Sequence, residues 1–337
     1  MPVQNSSNDI LVSWMVEEIE VNASLTRPAG AGPFPAVIMV AGSGPTDRNW
    51  NTPLLPGTNG SAALLAQALT QAGFMTLRYD KRAAGPQGKE NAMRLMGKIS
   101  MQGHLEELAG GVKLLAGRDD VDSRRLFALT NSEGCIHALN YQIQGAADPR
   151  LSAGPRLAGL LLTTAPARPV GVVAHSQIAA QLAAVPGGEQ MLAAYDAAIQ
   201  DFMAGREVKS DPILPEGLRN VILSVTAPIN QPFSRQLWMA DVAELLPKID
   251  CPVLVLLGKK DIQVVWELDS PIFEELVKKQ ANVKMAYAEN ANHVLKYEPR
   301  PLSELTMADI MASYNADTSR LDERALEIIL GWLKAQL

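Results

Sequence analysis

The chain has 337 residues, 47% of them hydrophobic, 20% charged and 5% aromatic, and its 30 basic and 36 acidic side chains give a formal net charge of −6. That length holds one large α/β domain or two ordinary ones, and the apolar content excludes a disordered chain. A mildly acidic sequence without a run of five like charges is no candidate for binding nucleic acid or an anionic membrane.

The N-terminal residues 1–17 are polar and lack a basic stretch followed by an apolar one, so they do not read as a secretory signal. No apolar run reaches the length of a membrane span. The expectation is a soluble, cytoplasmic protein, or a secreted one whose signal has been removed. Residues 10–16 and 18–25 alternate polar and apolar like the strands of a hairpin, which predicts an antiparallel edge to a sheet. PAVIMVA at 35–41 is a continuous apolar run ending at glycine, as in a strand buried on both faces. Residues 61–72 have helical spacing and stop at Gly73; 74–79 is the next strand and 103–116 the next helix. LFALT at 126–130 is strand again, followed by a turn and a helix over 135–144.

Two further buried strands are expected at 157–164 and 252–257, a last strand at 283–287, and a closing amphipathic helix at 321–337. Strands alternating with helices imply a mostly parallel sheet covered on both faces. Residues 167–247 break this rhythm with helical stretches at 174–185, 189–204 and 233–246 and no convincing strand. Long excursions from a compact domain tend to be functional. The expected organisation is therefore a core of residues 1–166 and 248–337 with a helical cap inserted at 167–247.

Ligands of open α/β sheets bind beyond the carboxyl ends of the strands. After LFALT come Asn131, Ser132, Glu133 and Gly134, leading straight into a helix. A serine on so sharp a strand-to-helix turn matches the G-x-S-x-G nucleophile elbow, which leaves the next backbone N–H, that of Glu133, free for an oxyanion. Thr130 replaces the first glycine of that pattern. The strand at 252–257 runs into Gly258 and, three residues on, Asp261, where the acid that orients a catalytic imidazole belongs. His293 follows the last strand in a polar loop and is the candidate general base. Ser132, Asp261 and His293 each lie just past a separate strand, in serine-hydrolase chain order.

The glycine-rich turn after 35–41 supplies the second oxyanion donor, the N–H of Ser43. It is no dinucleotide loop, because Asp47 stands where GxGxxG needs its last glycine. The two cysteines, Cys135 and Cys251, belong to no CxxC pattern and read as buried free thiols. The four histidines form no HxxxH pair, so neither a metal nor a cofactor is expected.

GSGPTDR at 42–48 and Tyr79-Asp80-Lys81-Arg82 together resemble a bacterial serine esterase group of the α/β-hydrolase superfamily, in which the second motif reads YDKRG. Ala83 stands in place of its glycine. The resemblance spans roughly 33–144 and 250–299. It implies an α/β-hydrolase fold and carboxylester hydrolysis without a cofactor, through an acyl-enzyme on Ser132. Asp47, Arg48, Asp80 and Arg82 either form one ion-pair network bracing the oxyanion loop or are a set of solvated charges. Tyr195, Phe202, Phe233 and Trp238, in the inserted segment, read first as core at helical spacing; those that face the site would favour a small-molecule ester with an uncharged, moderately apolar acyl group. A peptidase, another acyl or carbon–carbon bond hydrolase of the same fold, and a non-catalytic binding protein remain alternatives. A homodimer through the apolar cap also stays open.

Overall fold

The computed structural model describes residues 9–145, 154–209 and 211–337; the first half of the polar N-terminal segment lies outside them. Eight strands form one sheet: β1 (Asp9–Val16), β2 (Ile19–Thr26), β3 (Phe34–Val40), β4 (Met75–Tyr79), β5 (Val121–Asn131), β6 (Gly159–Thr163), β7 (Val253–Gly258) and β8 (Val283–Ala288). Their order is β1-β2-β4-β3-β5-β6-β7-β8. β1 and β2 make the antiparallel hairpin and β2 meets β4 antiparallel, while every pairing from β4 through β3 to β8 is parallel.

Twelve helices are present among the described residues: α1 (Ser61–Gln71), α2 (Gly88–Arg94), α3 (Met101–Ala116), α4 (Gly134–Gln144), α5 (Val170–Leu182), α6 (Gly188–Met203), α7 (Glu216–Thr226), α8 (Phe233–Trp238), α9 (Val242–Leu245), α10 (Trp266–Lys279), α11 (Met307–Ser313) and α12 (Glu323–Lys334).

The central strands are apolar on both faces because both are covered. Along β3, Ala36, Ile38 and Val40 pack with residues of α3 and α4, whereas Val37 and Met39 join α1 and α12 on the opposite side. β7 divides the same way, Val253, Val255 and Leu257 facing one core and Leu254 and Leu256 the other. Polar side chains set several helix starts. The Ser100 hydroxyl accepts the Gly103 N–H at 3.1 Å to open α3, and the Asp322 carboxylate accepts the Ala325 N–H at 2.8 Å to open α12.

The segment between β6 and β7 is helical throughout its regular parts. Ile178, Leu182, Tyr195, Leu214, Leu218 and Ile222 give α5, α6 and α7 a small core of their own. α7 was not among the expected helices, because Val221–Thr226 is rich in β-branched residues, which are weak helix formers. Its burial at Leu218 and Ile222, four residues apart, is helical. The single helix expected at 233–246 is instead α8 and α9. The Asp241 carboxylate accepts the N–H groups of Ala243 and Glu244, and this N-cap starts a new helix where the old one would continue. The segment is tied to the sheet domain at its start. Asp269, fully buried on α10, accepts the backbone N–H groups of Ala167 and Arg168 and pairs with the Arg168 guanidinium at 2.9 Å.

Candidate active site

The turn between β5 and α4 carries Ser132 at φ +52°, in the left-handed region that a residue with a side chain seldom occupies. Its N–H donates to the Thr163 carbonyl at 3.0 Å, and no side chain caps α4. Close approach makes the following glycine necessary. A Cβ on Gly134 would stand 2.5 Å from the Val40 carbonyl oxygen, so α4 could not start against β3 with any other residue. Thr130 is accommodated rather than strained: its buried hydroxyl donates to the Leu161 carbonyl at 2.9 Å and lies 3.0 Å from the Cys135 sulfur. Cys135 is buried, and burial pushes its thiol up to about 12; Cys251, expected to be buried too, is only partly so.

Asp261 lies in the turn after β7 and is 1% exposed. One carboxylate oxygen accepts the N–H groups of Gln263 and Val264 at 2.8 and 2.9 Å, which fixes the side chain. The other lies 2.7 Å from His293 Nδ1. With the carboxylate as acceptor there, Nδ1 carries the proton and Nε2 is the basic nitrogen. His293 sits on the loop after β8, which is held from behind. The Asn292 carboxamide oxygen accepts the N–H groups of Val294 and Lys296. The fully buried Lys296 ammonium donates to Asn59 O, Tyr314 O and Ser319 Oγ, and burial lowers its pKa to about 8.

The turn after β3 approaches the same place. The Thr46 hydroxyl donates to the Ser43 carbonyl at 3.0 Å, and the Asp47 carboxylate accepts the N–H groups of Asn49 and Asn51, both at 2.8 Å. Among the described residues neither the Ser43 nor the Glu133 N–H donates to a backbone acceptor.

The four-residue ion-pair network does not form. Arg48 and Asp80 do pair, Nη2 to Oδ2 at 2.5 Å and Nε to Oδ1 at 3.1 Å. Asp47 serves its own turn instead, and Arg82 points away to Glu107 at 2.6 Å and Glu17 at 3.2 Å. Gly85, at φ +70°, needs to lack a side chain, because a Cβ there would fall 2.3 Å from the Asp80 carboxylate.

Sequence reading missed Lys81. Its ammonium donates to the Gly42 carbonyl at 2.9 Å and pairs with the Glu133 carboxylate at 2.6 Å, all three groups being buried. His137 Nε2 lies 3.0 Å from the same Glu133 oxygen. Burial opposes ionisation of Glu133, but Lys81 and His137 outweigh it and hold the carboxyl well below its usual range. Behind them His104 Nδ1 meets Glu107 at 3.0 Å; burial lowers the imidazole to about 4, so it is neutral.

Ser132, His293, Ser43 and Glu133 all line one cavity of about 790 Å³, together with Lys81 and His104. One part of its wall comes from 167–247, including Val173, Ile229, Phe233, Leu237 and Trp238, and another from the loop after β3, including Trp50, Leu54 and Leu55. Of the four large side chains singled out in that segment, Phe233 and Trp238 therefore reach the cavity. Tyr195 and Phe202 are instead buried among the helices, the latter beneath the Arg235 guanidinium. Among the described residues no group of three or more His, Cys, Asp or Glu is placed to hold a metal ion, and no helix is long and apolar enough to cross a membrane.

No protein-family model matches the chain. It is 25% identical over 288 residues to the protein named Esterase EstD of Thermotoga maritima, a match covering 84% of this chain and 60% of that protein. The chain thus spans less than two thirds of the relative's length. Among solved structures it resembles the Pyrococcus furiosus esterase Pf2001 (TM-score 0.52, 16% identity, 97% of this chain and 92% of that one). It also resembles 2,6-dihydroxy-pseudo-oxynicotine hydrolase (0.52, 17%, 98% and 68%) and Porphyromonas gingivalis dipeptidyl peptidase 4 (0.54, 12%, 98% and 35%).

Proposed function

The chain has the α/β-hydrolase fold, and from that premise we propose that it is a serine carboxylesterase that works through an acyl-enzyme on Ser132. The observation that carries the reading is the buried 2.7 Å contact between His293 Nδ1 and Asp261, on a histidine that shares a cavity with a serine held at positive φ. His293 Nε2 takes the Ser132 proton as Oγ attacks the ester carbonyl. The N–H groups of Ser43 and Glu133 receive the oxyanion of the tetrahedral intermediate. Collapse expels the alcohol, protonated by His293, and water then repeats the cycle on the acyl-enzyme. Asp261 keeps the tautomer and stabilises the imidazolium formed in each half-reaction. No step calls for a cofactor.

Residues 167–247 act as a cap over this site, and their apolar contribution to the wall favours an uncharged, moderately apolar acyl group. The likeness to Esterase EstD supports ester over amide as the bond cut. Hydrolysis of p-nitrophenyl esters of graded acyl length by the wild type and Ser132→Ala tests the reading. Ester hydrolysis should peak at one chain length and vanish in the variant. Activity surviving in Ser132→Ala overturns the triad, and faster cleavage of aminoacyl anilides than of esters would make the protein a peptidase.

A further inference from the structure

A glutamate directly after a nucleophilic serine is an electrostatic problem. Its backbone N–H faces the place where negative charge develops, yet its own side chain carries a negative charge only a few bonds away. Glu133 is 3% exposed, and water therefore does little to screen it. One of its oxygens has no hydrogen-bond partner, and the other is shared by Lys81 and His137.

Lys81 also reaches the other side of the site. Its second acceptor, the Gly42 carbonyl, belongs to the same peptide unit as the Ser43 N–H. In a planar trans peptide the C=O and N–H point in opposite directions. A cation that fixes the Gly42 oxygen therefore aims the Ser43 N–H away from itself, and by polarising the peptide it makes that N–H a stronger donor. One ammonium thus orients the residue behind each oxyanion donor, Gly42 for Ser43 and the side chain of Glu133 for its own N–H. The two donors come from turns after different strands, β3 and β5, and Lys81 follows a third, β4.

We propose that Lys81 is the positioning residue of the oxyanion hole, clamping the Gly42–Ser43 peptide and the Glu133 side chain at once and neutralising the Glu133 carboxylate. The inference rests on the esterase reading and adds to it a residue whose ammonium is engaged by Gly42 and Glu133 at the cavity wall. Its effect must fall on the tetrahedral intermediate and the transition states that flank it, because the ground-state ester carries no oxyanion.

The test compares the wild type, Lys81→Met and Lys81→Met/Glu133→Gln on the best p-nitrophenyl ester, with binding of a trifluoromethyl ketone of the same acyl chain, which forms an oxyanion on the serine. Lys81→Met should lower kcat on the order of 10²-fold, the size of losing one oxyanion donor, with KM little changed. Ketone affinity should fall in parallel. The double variant leaves no lone buried carboxylate, so it should recover about tenfold of kcat without reaching the wild type. If Lys81→Met does not fold, the double variant decides, because it removes both charges together. A double variant with wild-type kcat and ketone affinity overturns the inference, as does a folded Lys81→Met that raises KM and leaves kcat alone. Wild-type hydrolysis that does not depend on Ser132 would sink the esterase reading and this inference with it. Ser132-dependent hydrolysis indifferent to Lys81 sinks only the inference.

Discussion

The side-chain amide of Asn131 donates to the backbone carbonyl of His293 at 2.8 Å, so the residue before the proposed nucleophile holds the loop of the proposed base directly. The same nitrogen donates to the Thr164 hydroxyl, also at 2.8 Å, and Asn131 is buried. The end of β5 and the loop after β8 are thereby joined through one carboxamide, without help from the side chains of the proposed triad.

Replacing Asn131 separates these contributions. Asn131→Ala frees the His293 carbonyl and should cost about 1–3 kcal/mol of stability, the penalty of a buried acceptor left unpaired. It should also lower kcat about tenfold or more, since small displacements of reacting groups are expensive. Asn131→Asp is nearly isosteric but turns a donor into an acceptor facing the His293 carbonyl, and it should be worse than alanine in both respects. Denaturant melts and ester kinetics on the two variants check the order. An aspartate variant as active as the wild type would show that the contact does not position the base.

Thr130 permits a sharper prediction, because the elbow pattern itself suggests that glycine there would be an improvement. The packing says otherwise. Its hydroxyl meets the Leu161 carbonyl, and its side chain fills space beside Cys135 on the buried C-terminal half of β5. Thr130→Val should cost about 1 kcal/mol through the lost hydrogen bond. Thr130→Gly should cost more, on the order of 2 kcal/mol, since it adds a void and backbone freedom. Urea titrations measure both, and a Thr130→Gly protein as stable as the wild type would refute the account.

The sheet was legible in the sequence because its central strands are buried on both faces and leave continuous apolar runs such as PAVIMVA and LFALT. The antiparallel hairpin was legible for the opposite reason, one face being wet. Ser132, Asp261 and His293 could be placed because each follows a strand end, and strand ends are visible. What connects them was not. Lys81 and Glu133 are 52 residues apart in the chain, as the 2.6 Å pair records, and a lysine in a charged motif carries no sign of burial. The same blindness made Arg82 look like a partner of Asp80, when its guanidinium pairs with Glu107 on α3. α10 was missed because Pro271 stands inside it, and helical spacing broken by proline reads as a stop.

Acid sensitivity follows from the buried His104–Glu107 pair. Burial lowers His104 to about 4 in the folded protein from an ordinary value of 6.5, so the unfolded chain binds more protons between those two pH values. Stability must fall as pH drops from 6.5 towards 4, by on the order of 3 kcal/mol from this group. Glu107 is subject to the opposing pull of burial, but Arg82 and His104 hold it at about 2 against an ordinary 4.5. Its contribution is present above 4.5 and is lost as pH falls towards 2, so the two groups act in the same direction in successive windows. Melting temperatures from pH 7 down to 4 should decline, and His104→Gln should flatten that decline even if its starting stability is lower. An unchanged slope would mean that His104 does not titrate as the packing requires.

Phe233 is where the proposed cap and the chemistry meet. Its ring lies 4.7 Å from the His104 ring and 6.2 Å from that of His137, and the same side chain lines the cavity shared by Ser132 and His293. Two roles predict different kinetics. If Phe233 bounds the acyl pocket, Phe233→Ala opens room beside Leu237 and Trp238. The ratio of kcat/KM for long against short acyl esters should then rise about tenfold, the scale on which a pocket discriminates one or two methylenes. If Phe233 serves only to pack the two histidines, its loss should lower kcat for every chain length alike, because the reach of the pocket would be unchanged while the support behind Glu133 weakens. The cavity wall favours the first outcome, with the optimum moving to longer chains, and a uniform loss across the ester series would assign Phe233 to the support of the network instead.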